Sequence, residues 1–320
     1  MKDLLETNLF TSINSEIADV SDRILASKYV VLVAPADLEG VISLAQLEAA
    51  LLDKSINYQR KLIPPRKHQV EFEDYMPKRM DGLTIMINPF RESQSKSDIE
   101  DHLISISPLS VEMKLETSNK THHGSIECVA LCAAIAHQTT PDGIRVRKLR
   151  HTAITGAWLR GGFETNYNPV YSLLRDHLND EGSIDIRSLP EVKNPVIEMI
   201  PNFPERMLSR LAKGWDTMDF EQRSSAISEL ILPSLRSTEL STMMLEELVW
   251  HRLIAPGFED DIASQLYIAL NSWPEDVETA KLHGGKVADS LISKGHFWAI
   301  LRFLALSNIQ HKGVSTVSVH

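Results

Sequence analysis

Hydrophobic positions fall into two regimes, short unbroken apolar runs in the first half of the chain and three-and-four spacing in the second. Before residue 27, apolar residues from Leu4 and Leu5 through Ile13 and Ile17 to Ile24 recur at helical intervals, which predicts one or two amphipathic helices. The run Tyr29-Val30-Val31-Leu32-Val33-Ala34 does not alternate, is largely β-branched and stops at Pro35. That is the pattern of a strand buried on both faces of a parallel sheet. The chain then turns through Asp37, Glu39 and Gly40, and apolar residues from Val41 and Leu44 to Leu51 and Leu52 return to helical spacing as far as Asp53. Two carboxylates thus stand at the carboxyl end of a strand, where open α/β sheets receive ligands. Paired acids can hold a divalent cation there. Acids also suit a helix N-terminus without any ligand, and spacing alone leaves both readings open.

Further short apolar runs predict strands at Ser55–Ile63, ended by Pro64-Pro65, and at Leu83–Ile87, Leu103–Ser107 and Val111–Leu115. Polar Arg91–Asp101 between them suits a short helix or loop, and Ile126–His137 reads as a helix of small residues that packs closely on a sheet. This succession predicts an α/β layer fold with a parallel sheet. Beyond Lys148 helices dominate: Leu149–Leu159 before Gly161-Gly162, a short one within Asn166–Asn179, then Glu205–Lys213, Asp219–Leu232 and Thr238–Ile254. Ser272-Trp273-Pro274-Glu275 has the spacing of a capping box with proline in the first turn, so a helix is expected to start there and stop near Gly284. A last helix, Lys286–Leu306, would be interrupted at Gly295, and Val314–Val319 alternates as a short strand does. The expected division is an α/β domain over 1–180, a connector over 181–204 and a mainly helical domain over 205–320.

Composition narrows the function. With 43% hydrophobic and 24% charged residues among 320, the chain can build a large core, and no apolar run approaches the roughly 20 residues of a membrane helix. The acidic opening MKDLLETNLF lacks the basic start and apolar core of a secretory signal, which predicts an intracellular protein without membrane attachment. A net charge of −10 argues against a surface built to neutralise phosphates. The stretch Arg60–His68 is a local basic exception and reads as a solvated loop, with contact to a phosphate backbone or an acidic protein as the alternative. His122, His123, Cys128, Cys132 and His137 include zinc-ligand types, but both cysteines fall inside an apolar helix, as buried thiols do. Gly284-Gly285-Lys286 lacks the rest of a phosphate loop, and Trp215, Trp250, Trp273 and Trp298 are spaced as core or interface anchors.

Val31 to Leu47 resembles the first motif of the DHH phosphoesterases, the superfamily of RecJ-type nucleases, in which an apolar strand leads through His-x-Asp-x-Asp-Gly-x-x-Ser-Ala into a helix. Here Pro35 stands at the histidine, Asp37 and Glu39 at the acids, and Gly40 and Ser43 are in register. The later motifs are similar in outline and altered in chemistry. Asn88 ends the strand that should close on a metal-binding aspartate. Ser107-Pro108-Leu109 replaces Asp-His-His, and Arg160 stands at the acid of the Gly-containing helix Ala153–Leu159. The resemblance covers about Val30 to Gly162.

It implies a degenerate RecJ-like protein without a cofactor, because a two-metal site needs several carboxylates and histidines that these positions do not supply. Arg160 could replace the metal's charge by pairing with Asp37 or Glu39. Relatives of this kind act at replication forks, so the resemblance implies a catalytically silent subunit that scaffolds the GINS complex and the MCM helicase. Such a subunit would be cytoplasmic and nucleoid-associated, with at most weak contact to single-stranded DNA. The alternative is a divergent manganese-dependent nuclease or small-phosphodiester hydrolase using Asp37, Glu39 and nearby histidines such as His122 and His123.

Overall fold

A computed structural model describes residues 4–69, 82–114, 121–160 and 168–296. The described residues form two compact units, 4–156 together with 268–296, and 157–267.

The first unit is an α/β layer structure. After α1 (Asn14–Ala26) come β1 (Tyr29–Pro35), α2 (Leu38–Asp53), β2 (Asn57–Ile63), β3 (Leu83–Ile87), β4 (Asp98–Ile99) and β5 (Leu103–Ile106). These strands make one sheet in the order β2-β1-β3-β5-β4, parallel except for the short edge strand β4. β1 lies inside it, with Val31 opposite Gln59 of β2 and Thr84 of β3. Burial on both faces explains why β1 is a continuous apolar run, every residue from Val30 to Pro35 being buried.

α2 is buried from Leu38 to Leu51, and its long polar side chains Gln46 and Glu48 are accordingly paired. Gln46 donates to Thr152 Oγ1 at 2.6 Å, and the Glu48 carboxylate accepts from Tyr58 at 2.7 Å and from Arg60 at 2.5 and 2.8 Å. Around α2 pack α3 (Cys128–Thr139), α4 (Ile144–Leu149) and α11 (Val277–Lys294).

Several boundaries differ from the sequence expectation for identifiable reasons. The helix expected from Val41 starts at Leu38, because Asp37 caps it. Arg91–Asp101 contains a short strand, β4. β6 (Leu109–Lys114) pairs in antiparallel fashion with β7 (Thr121–Ile126). β7 was hidden because its outward positions are polar and Gly124 weakens the apolar signal. The segment expected as one helix from Leu149 divides into α4, a 3-10 turn at Arg150–Ile154 and α5 (Thr155–Leu159).

α11 begins after Asp276, whose carboxylate accepts from the Thr279 amide at 2.9 Å, whereas the Ser272 hydroxyl turns back to the Ile268 carbonyl. It also runs through Gly284-Gly285. Glycine costs a helix only about 1 kcal/mol, and a Cβ on Gly284 would stand 2.9 Å from Val41 Cγ2. The small residue is what lets α11 approach α2. The helix ends at Gly295, which takes the left-handed φ of 78°. The expected strand at Val314–Val319 lies outside the described residues.

The second unit holds α6 (Pro169–Asp180), β8 (Asp185–Arg187), α7 (Glu205–Gly214), α8 (Phe220–Ile231), α9 (Thr242–Trp250) and β9 (Arg252–Ile254). α10 (Ile262–Asn271) begins there. Its core gathers Leu189, Leu208, Trp215, Ile227, Leu230 and Leu248. β9 pairs with β8, so the helix expected through Ile254 stops at Trp250; a buried three-residue strand is too short to show a period. The fully buried Arg252 guanidinium is held by Asp261 at 2.9 Å and by the Leu248 carbonyl at 2.6 Å.

These units are not the contiguous blocks expected from punctuation at 181–204. α6 belongs with the helical unit and α11 with the sheet. A Pro-rich stretch marks irregular backbone, but it carries no record of a distant helix returning to an earlier core.

Candidate functional site

The strand order 2-1-3 reverses direction at β1, and in open α/β sheets the carboxyl ends of the strands at such a switch point form the ligand crevice. The residues following β1, β2 and β3 are therefore the place to look for chemistry. They are Ala36-Asp37, Pro64-Pro65-Arg66 and Asn88-Pro89-Phe90.

Asp37 occupies the N-cap of α2. Its Oδ1 accepts from the Gly40 amide at 2.9 Å, and its Oδ2 is enclosed without a well-formed hydrogen bond. Burial pushes this carboxyl up to about 6, against the pull of the Gly40 and Arg66 amides and of the Arg66 guanidinium. Gly40 is required by its neighbour, since a Cβ there would lie 2.4 Å from the Pro35 carbonyl oxygen and 2.7 Å from its ring. Pro35 is thus a buried packing partner for the first helical turn, and its side chain offers no donor atom.

Arg66 follows β2 in a single 3-10 turn. Its guanidinium donates to the Phe90 carbonyl at 3.1 Å and lies 5.2 Å from the centre of the Phe90 ring, which ties the end of β2 to the end of β3. Beside it, Lys67 pairs with Glu275, and the His68 ring meets the Glu275 carbonyl oxygen at 2.9 Å. At the end of β1 the Trp273 indole donates to the Ala36 carbonyl at 2.9 Å.

The other positions singled out by the resemblance make structural contacts. Glu39 is buried in the first turn of α2; burial raises the thiol of Cys132 on α3, and the Glu39 charge adds to the shift. Asn88 lies just beyond β3 and donates its backbone N–H to the Ile106 carbonyl at 2.7 Å. Ser107 and Pro108 are buried between β5 and β6, the Pro108 carbonyl accepting from Gln94, and Leu109 pairs with Ile126 in the hairpin. His122 and His123 lie in β7, where His123 is 3.6 Å from the exposed Glu112. Cys128 and Cys132 are buried free thiols, as their place in an apolar helix predicts.

Arg160 is an exposed residue at the end of α5. Within the first unit the positive charge acting on Asp37 is that of Arg66, inside the basic stretch that reads from sequence as a solvated loop. The available signal was positional: Arg66 immediately follows the strand that neighbours β1.

As a manganese site the donor set fits poorly. Asp37 commits one oxygen to the helix cap and its other oxygen is enclosed, Glu39 is buried near Cys132, and the strand ends supply prolines and a neutral amide. Among the described residues, no group of three His, Cys, Asp or Glu side chains is placed to hold a metal ion. Nor is any helix among them long and apolar enough to cross a membrane. Compared with known protein families and with curated proteins, the chain matches none.

Proposed function

We propose that this chain is a catalytically silent, RecJ-like scaffold of the replication machinery, associating with the GINS complex and the MCM helicase as a cytoplasmic, nucleoid-associated subunit. The observation that carries the silent half is the donor set at the strand ends: one oxygen of Asp37 caps α2 and the other is enclosed, while Pro35, Asn88 and Pro108 stand where the resembled motifs have metal ligands. A phosphoesterase needs several carboxylates and histidines to hold cations and generate a hydroxide, and among the described residues this crevice does not bring them together. The choice of GINS and MCM rests on the resemblance of Val31–Leu47 and the later motif positions, and the parallel sheet with Asp37 at a strand end is compatible with it.

Affinity purification of the intact chain from its native source tests the partner half. Subunits of GINS and MCM should be recovered at near-stoichiometric levels, resistant to nuclease treatment. Recovery of neither complex would refute it. The raised carboxyl of Asp37 favours a second reading, a divergent manganese-dependent hydrolase, since perturbed acids collect at active sites. Nucleotide release in manganese separates the two.

A further inference from the structure

In the second unit α7 has two unlike faces. Leu208 and Leu211 pack into the core, while Arg206, Ser209, Arg210 and Lys213 are exposed. At about 3.6 residues per turn the three cations fall within about 60° of one another, on the side of the helix opposite the two leucines. They are separated by rises of about 6 Å and about 4.5 Å, so they form a stripe about 10 Å long. Met207, 37% exposed, lies at its edge.

None of the three cations has an ion pair or a side-chain hydrogen bond among the described residues. Cations elsewhere on the surface are matched within the chain, Arg91 by Asp98, Arg147 by Asp142 and Lys193 by Glu259. The carboxylates nearest in sequence are turned aside or occupied. Glu205, the one acid of α7, stands about 100° round the helix from the stripe. Asp216 and Glu191 line a cavity of about 310 Å³ with Ala212, and Ala212 is about 120° away on the same count. Asp219 caps α8, accepting from the Gln222 amide at 2.9 Å. The stripe is thus an uncompensated row of cations on a chain of net charge −10.

We propose that the outward face of α7 is a docking site for an acidic helix of a partner protein. The inference deepens the scaffold reading and rests on it. A second helix has the same pitch, so carboxylates at i, i+4 and i+7 repeat the rises between Arg206, Arg210 and Lys213. An apolar side chain beside them would cover Met207, whose flexible thioether adapts to such contacts. Exposed ion pairs are individually weak, so recognition depends on meeting all three cations in this spacing. A single-stranded nucleic acid calls for a groove and for aromatic rings on which bases stack, and the stripe is the raised face of a helix without an aromatic residue.

Fluorescence anisotropy on the intact chain tests this. The probe is a labelled helical peptide with glutamates at i, i+4 and i+7 and a leucine beside them, and the control has the same composition scrambled. Wild type should bind the probe at least about tenfold more tightly than the control near physiological ionic strength. The triple variant Arg206→Gln, Arg210→Gln, Lys213→Gln alters exposed side chains and keeps helix propensity, so its thermal melt should match wild type while the preference disappears. If the triple variant melts early, Arg210→Gln alone carries the test, with a loss of roughly threefold. Equal binding of probe and control, no binding, or an unchanged preference in a folded variant would each overturn the proposal. So would tighter binding of a labelled single-stranded oligothymidylate, lost in the same variant. Native partners that co-purify with the triple variant as they do with wild type retire this face and leave the scaffold reading standing, whereas the absence of partners on wild type refutes the reading itself.

Discussion

Asp37 should weaken the fold at neutral pH, and removing its charge should strengthen it. Its carboxyl is raised from 3.8 to about 6, a difference of roughly 2 units, and each unit corresponds to about 1.4 kcal/mol, so the ceiling is about 3 kcal/mol. The side chain is only partly enclosed and the Arg66 guanidinium would lose an anionic neighbour, so about 1–2 kcal/mol is the expected gain for Asp37→Asn. Asparagine caps a helix as well as aspartate does, which leaves the bond from Gly40 in place. The sign follows from proton linkage. The folded state holds the proton to higher pH than the unfolded state, so stability is lost as pH rises from about 4 to about 6 and stays lost above. Differential scanning calorimetry of both proteins across that window is the assay. A gain of this size should raise the melting temperature at pH 7 by about 2–8 °C, and the two proteins should converge near pH 4. Destabilisation by Asp37→Asn at pH 7 would refute the claim that this carboxylate is buried at a cost, and would point to a cation held there.

Three further outcomes follow from packing and pairing. Arg60→Ala strands the Glu48 carboxylate, whose side chain is 3% exposed, and should cost about 3 kcal/mol or more in urea unfolding; adding Glu48→Gln should restore part of that loss. Gly284→Leu forces a side chain into the 2.9 Å gap to Val41 and should destabilise the first unit by about 1–3 kcal/mol, measured by the same method. Cys128 and Cys132 should resist Ellman's reagent until the chain is unfolded, because both thiols are buried and burial raises that of Cys132; rapid labelling of the native protein would contradict their placement.

How far the chain could be read from residues alone depends on how local each cause is. β1 and β3 announce themselves because burial on both faces demands unbroken apolar runs, and α6 is legible because Asn168 caps it just ahead of a proline at its first position. β7 was not legible, since a strand whose outward side chains are polar shares its composition with a loop. The Gly284-Gly285 pair misleads for a related reason. A helix stop and a close helix contact both call for glycine, and only the presence of Val41 across the gap decides between them. At the site, Asp37 and Pro35 follow from the motif, whereas the part taken by Arg66 depends on which strand neighbours β1. That is a matter of sheet order, which no local pattern records.

Manganese-dependent release of nucleotides from a labelled single-stranded oligonucleotide bears most directly on the central claim, that the strand ends around Asp37 lack the donors for metal chemistry. Purified wild-type chain titrated with manganese should release no more nucleotide than the Asp37→Ala variant at every concentration. Robust release by wild type, abolished by Asp37→Ala, would contradict the account and establish the chain as an enzyme.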